Sequence, residues 1–79
     1  MENFIKMLKQ TGLTNNEAKV YLTLIKTGRT GGSEIAKKSK IYRPYVYDNL
    51  KKLQEKGLVS ETIIKNKKTF SAVSPEKLL

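Results

Sequence analysis

The hydrophobic period of this chain changes once, at Gly57, and that change limits the folds open to it. Before Gly57 the apolar residues recur at three- and four-residue intervals, the spacing of helices with one buried face. After it, "LVSETII", "KNKK" and "TFSAV" read as two β-rich segments about a polar turn, which is a hairpin. Asn66 suits the turn because it tolerates the positive φ that glycine otherwise supplies.

The helical part divides into recognisable pieces. In "NFIKMLKQTGLT", Phe4, Ile5, Met7 and Leu8 share one side of a short helix, and Gly12 is placed to stop it. In "TNNEAKVYLTLIKTG", Thr14 and Glu17 form a capping-box pattern. Ala18, Tyr21, Leu22 and Ile25 make an apolar stripe that Val20 and Leu24 widen. Gly28 closes this helix, with Lys26 favourably placed in its last turn. "RTGGSEIAKKS" offers only Ile35 and Ala36 for burial, so it spans little more than two turns. Gly31 or Gly32 occupies its cap region, and Ser33 and Glu34 suit its first turn.

A tight turn over residues 39–41 then leads into "YRPYVYDNLKKLQEKG". Short helix, turn and longer helix make a helix-turn-helix. With the hairpin added, the expected fold is a winged helix-turn-helix, a small α+β domain of three to four helices and a two-stranded β-hairpin wing. Residues 1–73 are expected to form this domain. In "SPEKLL", Ser74, Pro75 and Glu76 announce another helix, so residues 74–79 read as its start, a linker or a short arm.

Composition narrows the function. The 79 residues suit one thin-cored domain, and there is no cysteine or histidine to staple it or to bind zinc. The lack of cysteine is compatible with a reducing, cytoplasmic location. No stretch is apolar enough to span a membrane or to serve as a signal-peptide core, so no membrane partner is expected. No paired acids or phosphate loop suggest an enzyme, and no cofactor is implied. Sixteen Lys+Arg against seven Asp+Glu give a formal net charge of +9, which favours a polyanionic partner.

Three of the four tyrosines fall within residues 42–47, beside Arg43 and Pro44. A helical wheel separates them. With Val46 as reference, Leu50 and Leu53 lie within about 40° of it, and all three point to the core. Asp48, Lys52 and Glu55 face the other way, with Tyr45, Pro44 and Lys51 at the margins. Tyr47 sits on the flank, where its ring can support the core while its hydroxyl reaches a polar partner. Pro44 fits only a first turn, so the helix covers residues 43–56 or nearly so.

In a recognition helix the N-terminal half is presented, here Arg43, Pro44, Tyr45 and Asp48. Arg43 suits a guanine edge or a phosphate, with an intramolecular ion pair as the alternative. Tyr45 suits a thymine methyl or a phosphate, and Asn49 a local bond. Asp48 can accept from cytosine or pair with Lys52 at i+4, a group of use for selectivity more than for general anion binding. Lys40 stands in the turn: either it accepts positive φ at about 1 kcal/mol or the turn avoids that conformation. Lys37, Lys38, Lys40, Lys51 and Lys52 are phosphate candidates, and Lys65, Lys67 and Lys68 crowd the wing turn. Thr30, Gly31 and Ser33 are further candidates to donate to a phosphate at the short helix's N-terminus.

Taken together, "LTNNEAKVYLTLIKTG", "SEIAKKS", "YVYDNLKKLQEKGLV" and "KKTFSAVSPEKLL" resemble the N-terminal module of the TrmB-like archaeal transcription regulators. The resemblance implies a dimeric double-stranded-DNA-binding regulator whose effector-binding part follows this module, so no effector ligand is expected here. It implies DNA reading by Arg43, Pro44 and Tyr45, a wing at residues 65–68, and a mainly structural Tyr47. Three departures concern local geometry. Lys40 stands where the family usually has glycine, Gly31 and Gly32 weaken the short helix's start, and the wing lacks its usual glycine. Two other readings stay open beside duplex binding: a protein-interaction surface built on the tyrosines, and single-stranded nucleic acid binding. A homodimer is compatible with each half of a palindromic site taking one copy.

Overall fold

The computed structural model describes residue 10 and residues 12–73, so the expected helix around Phe4 and the one starting at Ser74 fall outside the described residues. Among the described residues, three full helices precede one hairpin: α1 (Asn15–Thr27), α2 (Gly32–Ser39), α3 (Arg43–Glu55), β1 (Val59–Ile64) and β2 (Lys67–Ala72). This is the winged helix-turn-helix expected from the change of period.

Each helix end has a local cause. Thr14 Oγ1 accepts from the Glu17 N–H at 3.1 Å while Glu17 Oε1 accepts from the Thr14 N–H at 2.8 Å, completing the capping box of α1. Lys40 closes α2 in the left-handed conformation, φ 61° and ψ 29°, and its N–H donates to Ala36 O at 2.9 Å. The turn thus takes the strained option, with lysine where glycine is the unstrained choice. α3 starts at Arg43 with Pro44 second, where the missing N–H is no loss. It ends on Gly57, φ 77°, whose N–H donates to Gln54 O at 3.0 Å while the Leu58 N–H reaches Leu53 O at 2.9 Å. That bond pair is a Schellman stop, which turns the chain sharply into β1.

Among the described residues the core is a single cluster. Tyr21 and Leu24 from α1, Ile35 from α2, and Val46, Leu50 and Leu53 from α3 surround Phe70 of β2, all nearly or fully buried. The expected stripe on α1 is partly corrected. Ile25 is 39% exposed and Leu22 half-buried, because the buried arc centres on Tyr21 and Leu24 and takes in Glu17 and Val20. The Tyr21 hydroxyl donates to Val73 O at 2.6 Å, joining α1 to the end of the hairpin.

The wing is a two-residue hairpin in which Ile64 pairs with Lys67. Both turn residues have positive φ, Lys65 at 52° and Asn66 at 64°, the pattern of a type I′ turn. Asn66 is the expected position, and Lys65 adds a second that sequence chemistry does not favour. Thr30 makes one further bridge to Phe70, its N–H donating to Phe70 O at 3.0 Å and its carbonyl accepting from Phe70 N at 2.8 Å. The wing is thereby sewn to the segment entering α2.

Candidate nucleic-acid interface

The exposed side of α3 begins where Pro44 forces it to. Arg43, Pro44, Tyr45 and Asp48 are all exposed along the first turns, while Val46, Leu50 and Leu53 are buried beneath them. Tyr45 is 60% exposed and packs edge-on against Tyr42, their centroids 5.8 Å apart. Asn49 is buried and donates from Nδ2 to Tyr45 O at 2.6 Å, the local bond the wheel favours. Asp48 pairs with Lys52 at 3.4 Å, one turn on, so both charges lie on the same exposed strip.

Tyr47 lies lower. Its ring packs edge-on against Phe70 with centroids 6.3 Å apart, and Arg43 Cζ stands 5.8 Å above its face. Among the described residues its hydroxyl makes no hydrogen bond, so the polar partner expected for it is absent there. The ring also explains Gly32. A Cβ there would lie 2.5 Å from Tyr47 Cζ, so glycine makes room for the ring at the start of α2. In the sequence Gly32 reads as a weak helix start; in the fold it is a seat.

These contacts form one open cleft of about 600 Å³ between the start of α2, the start of α3 and the wing. Ser33, Arg43, Lys67 and Lys68 converge on it, with Tyr47 as its floor. Glu34 is the acid on its rim, and it pairs with Lys38 at 3.7 Å. A second groove, about 250 Å³ between α3 and the hairpin, carries Lys51 and Lys68. Lys65 sits at the turn tip beside Asn66, and Lys40 in the left-handed turn. The structure thus joins two stretches far apart in sequence, the start of α3 and the wing, into one cationic surface.

Two of the candidate phosphate contacts have other surroundings. The Thr30 N–H donates to Phe70 O at 3.0 Å, so that backbone donor is committed, while Gly31 and Ser33 remain at the start of α2. Lys38 lies apart from Arg43, beside Lys19 and Lys26 in a cleft of about 390 Å³ between α1 and α2. The i,i+7 spacing of Lys19 and Lys26 on an exposed strip is the signal that marks this second basic patch.

Known proteins resemble this chain in sequence and in fold. The family model for the sugar-specific transcriptional regulator TrmB matches residues 8–76. TrmBL1 of Pyrococcus furiosus, an HTH-type sugar sensing transcriptional regulator, is 33% identical over 78 residues, covering 99% of this chain and 23% of that protein. This chain therefore spans less than a quarter of that relative's length. TrmBL2, an archaeal chromatin protein whose structure shows a novel mode of DNA binding, superposes with a TM-score of 0.85 at 27% identity, over 98% of this chain and 30% of that one. A MarR family transcriptional regulator from Streptomyces coelicolor shares the fold, with a TM-score of 0.69 at 18% identity over 96% of this chain and 55% of that one.

Proposed function

The chain belongs to the TrmB family of transcriptional regulators, and from that premise we propose that it binds double-stranded DNA and regulates transcription by occupying it. The first half of α3 enters the major groove, and the wing lies along the backbone or minor groove. The observation that carries this reading is the convergence of Arg43 with Lys67 and Lys68 on one open cleft, beside the exposed Tyr45. Arg43 has the fork to grip a guanine O6/N7 edge, and Tyr45 the ring to meet a thymine methyl. Lys40, Lys51, Lys65, Lys67 and Lys68 hold phosphates, which gives register and affinity without sequence preference. Asp48, kept close to Lys52, disfavours wrong bases more than it adds affinity.

The test is a titration of labelled duplex DNA at several salt concentrations, with the single strand of the same sequence alongside. Each neutralised phosphate contributes about 0.9 to the log–log slope, so five lysines predict a slope of roughly −4.5 for the duplex. Tighter binding to the single strand, or binding indifferent to salt, removes the reading. One observation favours a second reading. Tyr42 and Tyr45 are 71% and 60% exposed and paired edge-on, a surface of the kind that protein interfaces use. Salt-insensitive binding to a protein with no duplex affinity is what that alternative requires.

A further inference from the structure

Tyr47 touches three elements at once. Its ring fills the space that a Cβ on Gly32 would need, 2.5 Å from Cζ and 2.6 Å from the phenolic oxygen. Its edge meets Phe70, the buried anchor of the wing. Its face carries the Arg43 guanidinium, four residues earlier on the same side of α3, at 5.8 Å.

The way Arg43 is held matters chemically. A carboxylate partner would occupy the N–H fork that a base edge needs, and it would compete with phosphate. Among the described residues no carboxylate pairs with Arg43; Glu34, in the same cleft, is engaged by Lys38 at 3.7 Å. A ring beneath the guanidinium attracts it through its π face and leaves the in-plane donors free. It also removes rotamer freedom that binding would otherwise have to freeze.

We propose that Tyr47 is a positioning residue for sequence reading: it holds the Arg43 guanidinium in place with its donors free and, through Phe70, sets that arginine's position relative to the wing. This rests on the DNA-reading role of Arg43 proposed above, and it separates what the ring does for the fold from what it does for specificity.

The experiment starts from a random duplex pool enriched by the wild-type protein, which defines a preferred duplex. Affinities for that duplex and for a scrambled one are then measured for wild type, Tyr47→Phe, Tyr47→Leu, Arg43→Ala and the Arg43→Ala/Tyr47→Leu double variant, each checked by thermal melting. Tyr47→Phe keeps the ring face and is expected to retain the wild-type preference within about twofold. Tyr47→Leu is expected to lose about three- to tenfold on the preferred duplex, the range of a cation–π contact, with the scrambled duplex unchanged. In the Arg43→Ala background the leucine substitution should cost nothing further. Gly32→Ala leaves both side chains intact but puts a methyl in the ring's seat, and should lower the preference in the same direction; it serves where Tyr47→Leu does not fold. Equal losses on both duplexes, or losses that multiply in the double variant, overturn the positioning role while leaving DNA reading intact. Failure of the wild type to enrich any duplex overturns the reading itself, and the positioning role with it.

Discussion

Lys56 Nζ lies 3.2 Å from each carboxylate oxygen of Glu17, a side chain 1% exposed, and 3.3 Å from Gly12 O. The pair ties the last turn of α3 to the first turn of α1, across 39 residues of sequence. Glu17 therefore has two tasks, capping its own helix and holding the helix that presents Arg43.

The titration of Glu17 gives this tie a pH signature. Burial is the largest influence on its carboxyl and pushes it up, but the Thr14 N–H, the Lys56 ammonium and the Thr14 hydroxyl together outweigh it. The net effect holds the group below its ordinary value of 4.5. A depressed acid contributes stability above the unfolded-state pKa and loses it as pH falls through the folded one. The melting temperature should therefore hold its contribution from Glu17 down to about pH 5 and lose it below. Glu17→Gln should flatten that acid limb while lowering stability at neutral pH by about 1–3 kcal/mol. An acid limb unchanged in the variant would show that other carboxylates carry it.

Lys56→Ala leaves the buried carboxylate with Thr14 alone. A loss of about 2–3 kcal/mol is expected in denaturant unfolding, below the range for fully buried pairs because Lys56 itself is half open to water. Replacing both residues by methionine should restore much of that loss, since neither charge is then left unpaired. A double variant weaker than Lys56→Ala would mean that the ion pair, not the avoidance of a lone charge, stabilises the junction.

Lys40 should show a trade between stability and binding. Glycine accepts its φ of 61° without the Cβ penalty, so Lys40→Gly is expected to stabilise the domain by about 0.5–1 kcal/mol. The same change should weaken all duplexes alike and lower the salt slope by about 0.9, the share of one phosphate contact. Stability gained with no change in slope would remove Lys40 from the phosphate-binding set.

Tyr21 closes the other side of the molecule. Its buried hydroxyl donates to Val73 O at 2.6 Å, and burial raises its pKa above the ordinary value of 10.0. A group of raised pKa contributes stability below its unfolded value and loses it as pH rises through the folded one. Tyr21→Phe should cost about 1 kcal/mol at neutral pH and blunt the loss of stability above about pH 10. Identical alkaline limbs in both proteins would assign that loss elsewhere.

Where one residue type tolerates few conformations, the fold is legible in the sequence. Pro44 can sit only in a first turn, and α3 begins one residue before it; Gly57 stops the same helix with a left-handed turn. What a residue does depends on its neighbours when they come from distant sequence, and there the reading fails. Gly32 looks like a poor helix start until Tyr47 is found in its seat. Glu17 looks like a cap until Lys56 arrives beside it. For the candidate site, the presented edge of α3 follows from Pro44 and the wheel. The joining of Arg43 to Lys67 and Lys68, and the separation of Lys38 from them, depend on packing that the spacing of residues does not encode.

The most direct measurement of duplex reading by α3 and the wing is amide and side-chain NMR of the labelled protein titrated with duplex DNA. Shifts should concentrate on Arg43, Tyr45, Asp48, the Gly31–Ser33 segment and residues 65–68, with the Arg43 side-chain resonances among the largest. Shifts centred on Lys19, Lys26 and Lys38 instead, with α3 and the wing unmoved, would contradict the account.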